Sequence, residues 1–230
     1  MNEPNTAIFW SRVCPGGRYI VLMWAGRASG RNRITIWRAD ADGANQKQLT
    51  NGSWDANPAC SPDGKWVYYL DPDAQQLKRV PIEGGTPESV PGTIIPNVVV
   101  EPATISPDGK LLAFFYVKVG TVPPVRKIAL VSLDVGSKSQ IKVVNPDPRA
   151  VGMPEFTRDG TVVVYIIREN GTDNLWLQPL NGAPGRQITN FLTDSIAQFQ
   201  FSPDGKKLGI LRWHNDSDVV LFRDSGPPPQ

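Results

Sequence analysis

Few residues in this 230-residue chain are of a type and spacing that could do chemistry. His214 is the only histidine, so neither a metal cage nor a nucleophile–base–acid triad can be assembled around it by spacing. Asp71-Pro72-Asp73 pairs two carboxylates, as acid–base catalysis would need, but the intervening proline marks a solvated turn. Asp40-Ala41-Asp42-Gly43 begins like a calcium loop, yet no glutamate follows at the distance that would close the coordination sphere, and a hairpin turn is the expectation. Gly26-Arg27-Ala28-Ser29-Gly30 has the glycines of a nucleophile elbow with its serine misplaced. No phosphate-cradling loop, kinase catalytic loop or zinc-protease motif occurs. The expectation is therefore no catalytic residue, no cofactor and no metal.

Cys14 and Cys60 lack the spacing of a zinc site or a disulfide framework. Cys14 aligns with Ser61, which puts Cys60 one residue out of phase and facing the other way, so two buried free thiols are expected.

Binding residues are easier to nominate. Trp54, Asp55, Arg149, Asp194 and His214 fall in connections expected to emerge on one face of the fold, where they would line a channel mouth that contacts a peptide or small ligand. The alternative for Asp55 and Asp194, which sit at similar places in their units, is that they bond backbone linking one unit to the next.

What must position these residues is a repeat. Ser61-Pro62-Asp63-Gly64-Lys65 precedes the apolar run Trp66-Val67-Tyr68-Tyr69-Leu70. Proline presets the first corner of a type I turn, aspartate bonds nearby amides, and glycine takes the left-handed conformation that returns the chain as an antiparallel strand. A run rich in β-branched and aromatic residues without polar alternation suits a strand buried on both faces. The device recurs at residues 106–110 and 202–206, with degenerate copies at 14–18 and 157–161. The repeat glycines stand at 17, 64, 109, 160 and 205, spaced by 47, 45, 51 and 45 residues. Short strands repeating with a period in the forties predict an all-β fold, a β-propeller of four-stranded antiparallel blades with about five blades present.

The expected blades cover residues 7–52, 53–92, 93–148, 149–192 and 193–224 of a propeller spanning 1–226, with a disordered proline-rich tail over 225–230. Within each, strands a to d run outward from the channel. The third unit is the longest; its b–c connection, residues 119–125, reads as an extended prolyl loop flanked by Lys118, Arg126 and Lys127. In the fourth, Asn170-Gly171 centres a hairpin turn. The fifth has strand c over residues 218–222 and no fourth strand. The simplest account is the last five blades of a six- or seven-bladed ring whose other blades lie upstream; a five-bladed ring is the alternative.

The turn-and-strand repeat resembles that of TolB-like β-propellers, relatives of the WD-type blades. Residues 36–43, 79–85, 174–180 and 217–221 resemble phrases of the propeller that follows the kinase domain in bacterial eukaryotic-like serine/threonine kinases. Similar propellers follow winged-helix regions in some transcriptional regulators. The resemblance implies a non-catalytic module for protein or ligand recognition, the sensory part of a signalling kinase or regulator. It also admits the propeller gate of a prolyl-oligopeptidase-like serine hydrolase, or a free-standing periplasmic scaffold.

The partner implied is a protein or peptide, with a small molecule as the other option. The 24 basic and 22 acidic residues are scattered, giving a net charge of +2 and no basic stripe, so nucleic acid is not implied. No apolar run approaches 18 residues, and no membrane insertion is expected. An extracytoplasmic location follows from the resemblance alone, since Met1-Asn2-Glu3-Pro4 lacks a basic, apolar secretory start.

Overall fold

The computed structural model describes residues 7–28, 31–133, 141–202 and 204–214. The expected strand over 218–222 and the tail over 225–230 lie outside them. The first sheet runs β1 (Ala7–Val13), β2 (Tyr19–Ala28), β3 (Arg31–Asp40), β4 (Lys47–Gln48). The second is β5 (Ala56–Cys60), β6 (Trp66–Asp71), β7 (Gln76–Pro81), β8 (Glu88–Ser89). The third is β9 (Val98–Ile105), β10 (Leu111–Lys118), β11 (Val125–Ser132), β12 (Ile141–Val144). The fourth is β13 (Ala150–Phe156), β14 (Val162–Glu169), β15 (Thr172–Pro179), β16 (Arg186–Gln187). A fifth sheet pairs β17 (Ser195–Phe201) with β18 (Leu208–Trp213). All pairings are antiparallel between chain neighbours. The first strands of the first four sheets pack on one another in turn, so they form the inner ends of blades. Each of these inner strands carries a register shift, which bends it where the blades converge.

The repeat turn works as its residues dictate. Ser61 Oγ donates to Asp63 Oδ1 (2.6 Å) and accepts from the Trp66 amide (2.9 Å), while Asp63 Oδ1 also accepts from the Lys65 amide (3.1 Å). Gly64 has φ +70°, and its amide bonds Ser61 O at 2.9 Å. The same bonds recur at Ser106–Asp108 and Ser202–Asp204. In each copy the serine hydroxyl is the main cause holding the aspartate below its ordinary pKa.

Four apolar clusters fill the spaces between neighbouring blades. Each draws alternate residues of the second strands: Val67 and Tyr69 pack toward the first blade, Tyr68 and Leu70 toward the third. This is why these strands read as unbroken apolar runs.

Two expectations need correction. Cys14 and Cys60 are not free thiols but a disulfide, with Cα atoms 5.4 Å apart and a sequence separation of 46. Opposite phase within a blade is the arrangement that brings them together, because adjacent blades face each other with opposite sides. The prolyl loop is also shorter than expected: β11 begins at Val125, and Arg126 is held in the sheet by Glu101 and by the Phe115 ring 5.0 Å away.

Candidate functional site

At the end of the fourth blade the strand-joining segments enclose an open hollow of about 450 Å³. Its wall begins with a two-residue hairpin. Asn170 (φ +49°) and Gly171 (φ +79°) join β14 to β15 in the conformation that Asn-Gly favours. This places Glu169 and Thr172 at the lip. Asn174 then ties down the opposite wall: its Oδ1 accepts from the Phe191 amide (2.7 Å) and Thr189 Oγ1 (2.9 Å), and its Nδ2 donates to Phe191 O (3.2 Å). Gln187 donates to Thr189 O and Asn190 Oδ1 (2.7 and 3.2 Å). Leu192 follows, 89% exposed.

Arg149, just before β13, is the cation of the hollow. It donates through Nε and Nη2 to Asp147 (2.9 and 3.1 Å) and through Nη1 to Glu169 (2.7 Å). These bonds, Asp147 first, raise the guanidinium pKa, and the same contact keeps Asp147 below the usual carboxylate range. Phe191 connects this wall to the fifth blade: the Arg212 guanidinium lies 4.0 Å from its ring centroid. Arg212 donates to Asp194 Oδ2 (2.9 Å), and His214 Nδ1 meets Asp194 Oδ1 at 2.8 Å. The His214 bond, then the Arg212 charge, lower the Asp194 pKa. Arg149, Asp194 and His214 thus belong to one continuous array.

Trp54 and Asp55 lie elsewhere, at the junction of the first two blades. Trp54 is exposed and bridges Ile34 beside a separate hollow of about 310 Å³ lined by Ala7, Phe9 and Arg33. Asp55 is buried. Its carboxylate accepts from the Gly52 amide (3.0 Å), and its amide donates to Ile34 O (2.8 Å), so it bonds backbone between blades. The residue with that task between the fourth and fifth blades is Asp173, whose Oδ2 accepts from the Ile196 amide (2.9 Å).

Burial is the main cause raising the Asp55 pKa above 3.8, outweighing its hydrogen bonds to Thr50 and Gly52. A raised carboxylate pKa stabilises the fold below the unfolded value, and that contribution is lost as pH rises through the folded value. Asp55→Asn keeps an acceptor and carries no charge. At pH 7 it is expected to equal or exceed the parent in stability, and to lose this part of the fall in stability above pH 4. Urea unfolding from pH 4 to 7 checks it; a clear loss at pH 7 would show that the charge stabilises the junction.

Sequence reasoning missed Phe191, Leu192 and Arg212. The available signal was an apolar pair, Phe191-Leu192, in a connection where polar residues are the rule. Among the described residues no group of three or more His, Cys, Asp or Glu could hold a metal ion. The array offers amides, a guanidinium locked by two carboxylates, and an apolar lip.

No family model matches the chain, and no curated protein matches it. Solved structures do. Oligogalacturonate lyase in complex with manganese superposes over 94% of this chain with a TM-score of 0.68 at 19% identity. TolB from Acinetobacter baumannii superposes over 93% with a TM-score of 0.66 at 21% identity. The chain is a β-propeller module. Pyrococcus horikoshii acylaminoacyl peptidase also matches the propeller, over 80% of it, with a TM-score of 0.58 at 11% identity. At these identities the likeness is one of fold, and function sits in loops grafted on it. The chain spans 62% of the lyase, 50% of TolB and 32% of the peptidase.

Proposed function

We propose that this propeller is a non-catalytic recognition module that grips a protein or peptide at the rim between its fourth and fifth blades. The observation that carries this reading is Leu192, 89% exposed at the lip of a hollow whose only arginine is already paired. An apolar side chain of the partner rests on Leu192 and Phe191, and its backbone bonds Asn170 and Asn190. A small molecule with an apolar edge and amide-like groups fits the same description.

The repeat phrases support placing the module in a bacterial signalling kinase or transcriptional regulator, as its sensory part. The Cys14–Cys60 disulfide supports an oxidising, extracytoplasmic setting. The superposition on the peptidase favours a second reading, a gate on a serine hydrolase. Hydrolase activity in the native polypeptide would select that reading.

Peptides selected from a displayed library on the intact chain provide the test. Leu192→Asp is expected to weaken a selected peptide at least about tenfold, or 1.4 kcal/mol, in calorimetry. Val143→Asp, on the exposed outermost strand of the third blade, should leave binding unchanged. Unchanged binding in Leu192→Asp, with loss in the channel variant Met153→Asp, would overturn the rim assignment.

A further inference from the structure

The chain contains three Asn-Gly pairs, at 51–52, 170–171 and 181–182. Such a pair can react with itself, because a glycine amide nitrogen, unshielded by any Cβ, can approach the carboxamide carbon of the asparagine before it. The reaction needs a carboxamide free to turn, a glycine amide free to give up its proton, and a backbone that opens locally. The fold withholds these from two of the pairs. The Gly52 amide donates to Asp55 Oδ2 (3.0 Å), so it is occupied, and the neighbouring negative charge opposes loss of its proton. The Asn51 carbonyl is held as well, by Arg33 Nη1 (3.2 Å). In the third pair, Asn181 Oδ1 accepts from the Ala183 amide (3.0 Å), which fixes the carboxamide across its turn.

Asn170-Gly171 carries neither restraint. Among the described residues, neither the Asn170 carboxamide nor the Gly171 amide has a hydrogen-bond partner. Both residues are exposed, and a Cβ on Gly171 would meet nothing within 4 Å. They form the tip of the hairpin closed by Glu169 and Thr172, with φ +49° at Asn170. Opening this tip breaks few contacts, so the turn reaches the reactive geometry at low cost.

We propose that Asn170 is a site of spontaneous deamidation, which replaces an amide at the lip of the fourth-blade hollow by a carboxylate and so weakens recognition there as the protein ages. The Gly171 nitrogen attacks Asn170 Cγ. The new N–Cγ bond closes a succinimide ring, the Cγ–Nδ2 bond breaks, and ammonia leaves with the proton given up by the Gly171 amide. Water then opens the ring at either carbonyl, so the net reaction is hydrolysis of one amide, with no oxidant or reductant. Opening at Cγ leaves aspartate, which tolerates the left-handed φ and keeps the hairpin. Opening at the backbone carbonyl leaves isoaspartate, whose extra backbone carbon displaces the pairing of Arg168 with Asp173, the residue that holds the Ile196 amide of the fifth blade. The new charge stands beside Glu169, and Arg149 is already engaged by Glu169 and Asp147. The modification holds whatever the rim binds; its effect on binding rests on the recognition reading, in which Asn170 bonds the partner's backbone.

Incubating the 230-residue chain in mildly alkaline heavy-oxygen water, followed by digestion and mass spectrometry, tests the site, because the heavy oxygen marks only amides hydrolysed during the incubation. Asn170 is expected to be converted several-fold faster than Asn51 and Asn181 in the folded chain. In concentrated urea, where the restraints are gone, the three should react at about equal rates. Conversion of Asn170 no faster than that of the other two, or the same ratio in urea, would overturn the proposal. Asn170→Asp installs the charge directly and is expected to weaken the library-selected peptide several-fold. Unchanged affinity in Asn170→Asp, with loss in Leu192→Asp, would overturn the effect on recognition. Unchanged affinity in both would overturn the rim reading instead, and the heavy-oxygen ratios would still decide the modification.

Discussion

Reducing the Cys14–Cys60 disulfide is expected to lower the stability of the chain by about 4 kcal/mol. The bond closes a loop of 46 residues, and opening it returns that loop's conformational freedom to the unfolded state. For a chain of this size the melting temperature should fall by about 8–16 °C. The effect has a direction within the fold, because Cys14 and Cys60 both belong to the apolar cluster between the first two blades. Amides of β2 and β3 should therefore gain exchange with solvent more than those of β10. Cys60→Ser should show the same loss without reductant and no further loss with it. Calorimetry with and without a phosphine reductant measures both. A change under about 1 kcal/mol would mean that the cluster alone joins these blades.

The second large effect is expected at Asp173. Its side chain is fully buried, and its two oxygens accept from Arg168 Nε (2.6 Å), Arg168 Nη2 (2.8 Å) and the Ile196 amide (2.9 Å). Its own amide donates to Asp194 O at 3.0 Å. Asp173→Ala leaves the Ile196 amide buried without its acceptor and breaks the ion pair, at a cost of about 3 kcal/mol. Asp173→Asn should cost less, because it keeps an acceptor and the Arg168 side chain is half exposed. The loss should concentrate in the fifth blade. Hydrogen exchange should quicken across β17 and β18 while β10 stays protected. Because Asp194 is anchored by this contact, rim binding should weaken as well. Uniform loss of protection over all blades would contradict the assignment of Asp173 to the blade junction.

Much of the fold was legible because each blade repeats one local solution. The repeat glycines at 17, 64, 109, 160 and 205 all have φ between +69° and +73°, as the turn chemistry demands. The apolar runs after them form the second strands, since residues that must fill both faces leave no alternation to misread. What was illegible depends on relations between blades. The disulfide was missed because phase was judged within one blade. Asp55 and Asp194 looked equivalent by position, but burial separates them: one bonds backbone between blades, and the other pairs with Arg212 and His214 at the rim. Leu211 and Trp213 gave no sign of being exposed, because a strand between two blades and a strand facing an open side use the same residues. Phe191 was hidden for a different reason: its position depends on Asn174, 17 residues earlier on β15.

The measurement closest to the central claim is hydrogen–deuterium exchange of the intact chain with and without a library-selected peptide. Recognition at the rim predicts added protection in residues 168–174 and 190–194, with the inner strands unchanged. Protection confined to residues 152–155 and 197–199, which line the channel-side hollow with Trp10 and Arg12, would move the binding site into the channel and contradict the account.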